Sequence, residues 1–321
     1  MDFINKFPAP DLQQWHALVD KALNGKPFRE TLIHRTYDDI DIEPLYSPVV
    51  GNIPADKLQA SDAHWTRGIA LSTSEPSWEI HQMYAGPTIE KTKADIAEDI
   101  VGGNEGIHLQ LASPGQFGVP ANSLANISML LDQDMGSVRS VSLNTGSEYT
   151  TVAGDLISLW SSKPFAASQI RCDLNADPLG SLARHGSLPV SFDQAKQQLG
   201  TLCARVHDKD LPFTVLAADG RPYHNAGASD AQELAAILKT LVTYLRWLEM
   251  HKILPEQTLA LTTVQVSVDS DFFTAISKLR ALRQLIYRLG EACGCADVAL
   301  NIRCFAFSSE RMLSRYDSHT N

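Results

Sequence analysis

Apolar residues near the start of the chain recur every three or four positions, which is the spacing of one face of an α-helix. In DLQQWHALVDKALNG (11–25) they form a continuous stripe, and Gly25 follows as a stop signal. We therefore expect an amphipathic helix that is docked by this stripe. RTYDDIDIEPLYSP comes next, and a stretch rich in proline and serine with little periodicity continues to about Pro76. This part predicts an extended arm rather than a domain.

From Trp78 onward short apolar runs alternate with longer helical stretches, as in repeated strand–helix units. Two of the helical stretches, 229–250 and 270–292, combine a polar residue at the start with a continuous apolar stripe. Seven runs have the length and composition of strands: WEIHQMYAG (78–86), GIHLQLA (106–112), VRSVSLN (138–144), SQIRCDL (168–174), FTVLAAD (213–219), LALTTVQVS (259–267) and VALNIRC (298–304).

Parallel strands that alternate with helices predict an α/β protein of the TIM (β/α)8-barrel type, and such a barrel closes with eight strands. We predict this barrel over residues 77–321, lacking its last strand–helix unit, after an N-terminal helix and extended arm in residues 1–76. The alternative is that one strand was not recognised, since short strands are hard to identify from one sequence. A missing strand would leave the first and seventh strands with unpaired edges.

Composition excludes several classes of function. A net charge of −10 argues against a nucleic-acid partner, because phosphate binding needs a concentrated basic face. The chain has no apolar run long enough to cross a bilayer, and its N-terminus lacks the pattern of a signal peptide, so we expect a cytoplasmic protein without a membrane partner. The five cysteines have neither zinc-ribbon nor thioredoxin spacing, and no metal site, GxSxG motif or P-loop is present.

Two side chains stand out as candidates for chemistry because they follow predicted strands, where barrel proteins carry their working residues. Tyr84 ends the first candidate strand and His224 follows the fifth. A phenol and an imidazole that face one pocket could hydrogen-bond a carbonyl or shield a reactive intermediate from water. The alternative is structural: Tyr84 packs by its ring, and His224 caps the turn at 225–229.

Several stretches together resemble the substrate-barrel domain of the methylmalonyl-CoA mutase family, in the family's order and over nearly the whole chain. They are RTYDDIDIEPLYSP, HWTRG (64–68), WEIHQMYAG, YHNAGASDAQELA, FFTAISKLRALR and SERMLSRYDSHTN. The resemblance implies isomerisation of methylmalonyl-CoA to succinyl-CoA by radical chemistry with adenosylcobalamin, in a barrel that encloses the acyl-CoA. It also implies that Tyr84 corresponds to the tyrosine over the cobalamin and His224 to the histidine at the substrate carbonyl. The family's separate cobalamin-binding domain is absent from these 321 residues.

Other positions resemble the family's small, β-type subunit. The arginine expected before the sixth-strand serine falls at Leu261, the glutamine after the seventh-strand cysteine falls at Phe305, and ADPLGSLARHGSLP (176–189) is similar to the small subunit. We therefore expect a non-catalytic scaffold that forms a heterodimer with a large catalytic subunit, with adenosylcobalamin bound by the complex and not by this chain. Tyr84 and His224 would then be relics. The alternative is a catalytic acyl-CoA mutase barrel whose cobalamin domain lies on another chain.

Overall fold

The computed structural model describes residues 11–46, 66, 78–112, 117–121, 123–132, 135, 138–146, 149–162, 170–209, 211–317 and 319. Contacts divide the chain into two compact units, Met1–Gln59 and Ala60–Asn321. The predicted domain boundary between residues 76 and 77 lies outside the described residues, as does HWTRG apart from Thr66.

The first unit contains the predicted helix and three short elements: α1 (Leu12–Leu23), α2 (Phe28–Leu32), β1 (His34–Arg35) and β2 (Asp41–Ile42). Asp11 caps α1 by accepting a hydrogen bond from the Gln13 amide, and β1 pairs with β2 as an antiparallel hairpin. The helix is confirmed. No residue of α1 is fully buried and Leu18 is 67% exposed, while the Trp15 ring meets the Phe28 ring of α2 edge-on at 6.2 Å between centroids. The extended arm thus includes a hairpin.

The second unit is built around one parallel sheet, in which the described strands follow one another in chain order. They are β3 (His81–Tyr84), β4 (Gly106–Gln110), β5 (Ser140–Asn144), β6 (Arg171–Ala176), β7 (Phe213–Asp219), β8 (Thr262–Val268) and β9 (Arg303–Ser308). Every neighbouring pair is parallel. The sheet is curled, and the prediction of a TIM-like barrel that lacks one unit is confirmed.

Helices connect the strands and cover the outside of the sheet: α3 (Ile89–Val101), α4 (Leu124–Leu131), α5 (Tyr149–Ser162), α6 (Pro178–His185), α7 (Phe192–Asp208), α8 (Arg221–Asn225), α9 (Asp230–Glu249), α10 (Pro255–Ala260), α11 (Phe272–Ala292) and α12 (Ala296–Leu300). The polar cap predicted for α9 is present as a reciprocal pair of hydrogen bonds between Ser229 and Gln232. Among the described helices, none combines the length and apolar composition that a membrane span requires.

Alternation along β4, β5 and β8 separates an apolar layer from a polar interior. Ile107 and Leu109 of β4 are fully buried in the core that the sheet forms with the helices. His108, between them, points the other way and bonds Ser142 on β5. Because successive side chains of a strand point to opposite faces, the same alternation in the neighbouring strands gives the barrel a polar interior.

The last predicted strand needs a correction. VALNIRC (298–304) was expected to be extended, but residues up to Leu300 belong to α12 and β9 begins at Arg303. Ala299 and Ile302 are buried against the cluster that includes Leu282 and Ile286 of α11. The spacing of three residues between Ala299 and Ile302 suits a helical turn, and a short apolar run fits either period.

Candidate functional site

Tyr84 lies at the end of β3 but turns towards the helices rather than into the barrel. Its hydroxyl donates to Asp99 Oδ2 of α3 at 2.9 Å and accepts from Asn104 Nδ2 at 3.3 Å. Burial raises the pKa of Tyr84, and the Asp99 carboxylate raises it further. The Tyr84 phenol is therefore protonated, and its hydroxyl donates its hydrogen bond to α3.

His224 lies in α8 and is 1% exposed. Its Nε2 is 2.7 Å from Ser309 Oγ, just after β9, and its Nδ1 is 3.5 Å from Glu233 Oε2 of α9. Burial lowers the pKa of His224, although Glu233 opposes the shift. The ring is thus held between two elements, and it shares no described contact or cavity with Tyr84.

The partners of His224 form a buried ionic network. Glu233 is fully buried, its Oε1 accepts from the Ser267 amide at 2.8 Å, and its carboxylate contacts the Lys278 ammonium. Lys278 Nζ also lies 2.7 Å from Asp230 Oδ1. Ligand atoms of His224, Asp230 and Glu233 lie within 4.8 Å of one another, as in a metal site. Lys278 supplies positive charge to both carboxylates, so the network is an ion-pair cluster, in which His224 Nδ1 has no hydrogen-bond partner among the described residues.

A polar cluster occupies the mouth of the barrel, at the carboxyl ends of β6 and β7. Asp219 accepts from Arg221 Nε and Nη2, both at 2.9 Å, and from Arg184 at 3.3 Å. Burial alone would raise the pKa of Asp219, but Arg221 outweighs it and the pKa is lowered. Arg221 also stacks on Phe307 at 3.9 Å from the ring centroid. Arg184 is the most exposed member of this cluster, with 28% of its side chain accessible.

A chain of hydrogen bonds crosses the middle of the interior. Thr263 Oγ1 donates to Asn175 Oδ1 at 2.9 Å, and Asn175 Nδ2 donates to Ser142 Oγ at 2.8 Å and to the Leu143 carbonyl at 2.9 Å. Ser142 Oγ lies 2.9 Å from His108 Nδ1. Ser142 therefore links Asn175 to His108, because its hydroxyl oxygen accepts from Asn175 and has capacity left for the bond with the imidazole. Burial lowers the pKa of His108 to about 3, so the ring stays neutral.

Two ion pairs bridge the interior nearer the amino ends of the strands. β6 lies three strands from both β3 and β9 in the sheet order, so contacts between them cross the barrel. Arg171 of β6 pairs with Glu79, just before β3, and Arg303 of β9 pairs with Asp173 of β6. Burial would raise the pKa of Glu79, but hydrogen bonds with His81 and Arg171 lower it to about 2. The side chains of these two ion pairs therefore occupy the barrel axis.

A cavity of about 340 Å³ lies between β3 and β9. The His81 ring meets the Phe305 ring edge-on at 5.2 Å between centroids, and the His108 ring meets Phe307 in the same way at 5.1 Å. Phe305, where the resemblance places a family glutamine, thus faces this cavity. Leu261 does not: it precedes β8, at the end of the barrel opposite the mouth.

Several residues of the barrel interior were not among the predicted site residues, although the alternation of polar positions in the strands indicated them. Gln265 of β8 bonds Arg221 at the mouth, and His108 and Asn175 lie deeper. In GIHLQ, SVSLN and TTVQVS every second position is polar or glycine. A strand that is apolar at alternate positions and covered by helices must turn its other positions inward, so this alternation identifies the polar interior.

The second unit is a parallel domain of the (β/α)-barrel class with a charged mouth, and its interior is bridged by the protein's own ion pairs. The family to which it corresponds follows from comparison: the methylmalonyl-CoA mutase model matches residues 35–321, and the chain belongs to that family.

The relatives found by comparison are small subunits. The methylmalonyl-CoA mutase small subunit of Streptomyces virginiae is 32% identical over 98% of this chain and 50% of its own length. That of Propionibacterium freudenreichii subsp. shermanii is 26% identical over 98% of this chain and 49% of its own. This chain therefore resembles the small subunit and spans about half the length of these curated relatives. A solved structure of a putative mandelate racemase/muconate lactonizing enzyme from Roseovarius nubinhibens matches with a TM-score of 0.37 at 15% identity, over 78% of this chain and 58% of its own.

Proposed function

We propose that this chain is a non-catalytic barrel of the methylmalonyl-CoA mutase type, a scaffold that pairs with a large catalytic subunit. The observation that carries the proposal is the pair of ionic bridges across the interior, Arg171–Glu79 and Arg303–Asp173. An acyl-CoA that enters along the axis would have to separate these charges. Asp173 is fully buried, so losing Arg303 would leave an uncompensated charge.

The two residues that match family site positions support the same role. The Tyr84 hydroxyl is bound to Asp99 outside the barrel, and both ring nitrogens of His224 face protein groups. The Tyr84 hydroxyl is taken up by Asp99 and His224 is 1% exposed, so these residues do not fit a contact with cobalamin or with a substrate carbonyl. In this proposal adenosylcobalamin and the acyl-CoA are bound through the large subunit.

The cytoplasm is the compartment that suits this chain. All five cysteines are free thiols, and reducing compartments keep thiols in that state. In the heterodimer the barrel would contribute surface and stability rather than chemistry. The isomerisation of methylmalonyl-CoA to succinyl-CoA would take place in the partner.

The test is reconstitution with the large mutase subunit of the same host. With adenosylcobalamin and methylmalonyl-CoA present, His224→Gln in this chain should leave kcat within about twofold of wild type, whereas a general acid or base at His224 would make kcat fall about a hundredfold or more. Ser309→Ala is the matched control, because it removes the same hydrogen bond from the other side. Size-exclusion chromatography checks that each variant still enters the complex.

The competing hypothesis of a catalytic barrel predicts a different set of results. His224→Gln would then abolish turnover while Ser309→Ala retained it, and the isolated chain would bind methylmalonyl-CoA in a calorimetric titration. Either result would overturn the scaffold role.

A further inference from the structure

The buried cluster around His224 contains two polar atoms that lack a hydrogen-bond partner. His224 Nδ1 and Glu233 Oε2 are both buried, and neither makes a hydrogen bond among the described residues. The side chains that carry them are 2% and 0% exposed. Buried polar atoms are normally paired with protein, with water or with an ion, so the ion pairs of the cluster leave these two atoms unexplained.

The two atoms are separated by the distance expected between two ligands of one metal ion. They lie 3.5 Å apart, and ligands of a tetrahedral zinc ion, each at about 2.0–2.1 Å from it, are about 3.4 Å from each other. Asp230 supplies a third ligand atom, and the three atoms lie within 4.8 Å of one another. Within the part of the chain that the structure describes, no other group of three His, Cys, Asp or Glu side chains comes this close.

Neighbouring elements orient the three ligand groups. Asp230 and Glu233 are three residues apart in the first turn of α9, so both carboxylates project from the same side of the helix. Glu233 Oε1 accepts from the Ser267 amide at 2.8 Å, which leaves Oε2 directed at the cluster. His224 Nε2 lies 2.7 Å from Ser309 Oγ, which directs Nδ1 to the cluster. Histidines that bind metal ions commonly hold their second ring nitrogen on such an oxygen partner.

The Lys278 ammonium lies where such an ion would bind. It is 2.7 Å from Asp230 Oδ1 and contacts Glu233, yet it makes no hydrogen bond with His224 Nδ1. With a neutral imidazole, the two carboxylates and the ammonium leave one negative charge uncompensated. A divalent ion at the same place would balance both carboxylates and bond all three groups. The ammonium can give way because a flexible four-carbon stem carries it.

We propose that His224 Nδ1, Asp230 and Glu233 form a binding site for one divalent transition-metal ion, with Zn²⁺ as the best match, and that the ion displaces the Lys278 ammonium. One imidazole and two carboxylates are ligands that zinc accepts, whereas Ca²⁺ and Mg²⁺ prefer oxygen ligands alone. The Asp230 side chain is 27% exposed, so water reaches the site and completes the coordination.

The bound ion has a structural role. It joins α8 to α9 and, through the bond between His224 and Ser309, to the segment that follows β9. An ion that binds the folded chain and not the unfolded one stabilises the fold by mass action. This inference does not depend on which subunit carries the turnover.

The probe is Zn²⁺ itself, titrated calorimetrically into the full 321-residue chain after a chelator has removed bound metal ions. One ion should bind per chain with a dissociation constant below about 100 µM, and the melting temperature should rise with the Zn²⁺ concentration. Co²⁺ is the spectroscopic probe. Its complex should show d–d bands without the thiolate charge-transfer band that cysteine ligands would cause.

His224→Gln tests the nitrogen ligand. The affinity for Zn²⁺ should fall about tenfold or more, because even the loss of a group that only supports a metal ligand costs about 10–100-fold. The matched control is His185→Gln, which changes an exposed histidine of α6 and should bind Zn²⁺ like wild type.

Lys278→Met tests the displacement. Without the competing ammonium, Zn²⁺ should bind about tenfold or more tightly than to wild type. Lys196→Met is the matched control, because it removes a lysine that pairs with the exposed Asp193 of α7, and it should leave the affinity unchanged. If Lys278→Met does not fold by itself, refolding with Zn²⁺ but not with Mg²⁺ should rescue it, since the ion restores the missing positive charge.

Five outcomes would overturn the proposal. They are a wild-type chain that binds no Zn²⁺ in this range, equal affinity in His224→Gln and wild type, no tighter binding by Lys278→Met, a Lys278→Met chain that Zn²⁺ does not rescue, and a thiolate band in the Co²⁺ complex. The last result would assign the bound ion to the cysteines instead.

Discussion

At the scale of single residues, the environment of His224 explains why this histidine stays neutral. Burial lowers its pKa from 6.5, and Lys278 and Arg311 act in the same direction, while Glu233 and Asp269 oppose them. The unfolded chain takes up a proton as the pH falls below about 6.5, but the folded chain resists protonation. His224 therefore contributes stability above that pH, and this contribution is lost as the pH falls.

The direction of this pKa shift gives a prediction for the variant His224→Gln. Gln can keep a hydrogen bond to Ser309 but cannot take up a proton, so acidification should not destabilise the variant through this site. The free energy of unfolding of wild type minus that of the variant should therefore decrease between about pH 6.5 and pH 5. Urea unfolding of both proteins across this range provides the measurement. A difference that widened on acidification would show that the folded protein binds the proton at this site.

At the scale of elements, close approach between helices depends on particular glycines. A Cβ added at Gly290 of α11 would lie 2.4 Å from the Ala299 Cβ and 3.0 Å from the Ala296 Cα of α12. Gly154 of α5 has more room, because the nearest atom to a Cβ there is Arg205 Nη1 at 3.8 Å. Glycine is thus required by packing at the first position and not at the second.

The two glycines form a matched pair for mutation. Gly290→Ala should lower the free energy of unfolding by about 1–3 kcal/mol, since overpacking exceeds the gain in helix propensity. Gly154→Ala should raise it by up to about 1 kcal/mol, because only the propensity changes. Urea denaturation of both variants gives the comparison. Changes of the same sign in both would contradict the packing assigned to α11 and α12.

At the scale of the whole barrel, the ion pairs across the interior distinguish this chain from a barrel with an open axis. Arg303 reaches from β9 to Asp173 on β6, and Asp173 also accepts a hydrogen bond from Thr214 of β7 at 2.6 Å. Burial raises the pKa of Asp173, although Arg303 opposes the shift. One carboxylate thereby connects three strands.

Removing the Arg303 guanidinium should therefore destabilise the folded protein. Arg303→Met should lower the free energy of unfolding by about 3–5 kcal/mol, because it leaves Asp173 buried without its partner. Arg288→Met is the matched control: its pair with Glu291 is more than one-third exposed on both sides, and the loss should be about 0–1 kcal/mol. Thermal and urea unfolding provide the values. Equal losses in the two variants would mean that the interior ion pair does not hold the strands together.

Much of the fold was predictable because it depends on local patterns. The period of apolar residues identified the seven strands and the long helices, and Ser229 with Gln232 marked the start of α9. The seventh strand was misplaced, since the run at Ala299 to Ile302 fits both a helical turn and a strand. The shared pocket considered for Tyr84 and His224 is not found among the described residues, because Tyr84 faces α3.

Local sequence pattern sets which segments become strands and helices and in what order, because these depend on neighbours within a few residues. It also determined the polar and apolar faces of β4, β5 and β8 through their alternation. Three-dimensional packing brings Arg303 to Asp173, encloses His224 between Ser309 and Glu233, and places His108 at the cavity between β3 and β9. Such contacts join residues far apart in the chain, and their geometry follows from strand register and barrel curvature, which no local pattern specifies.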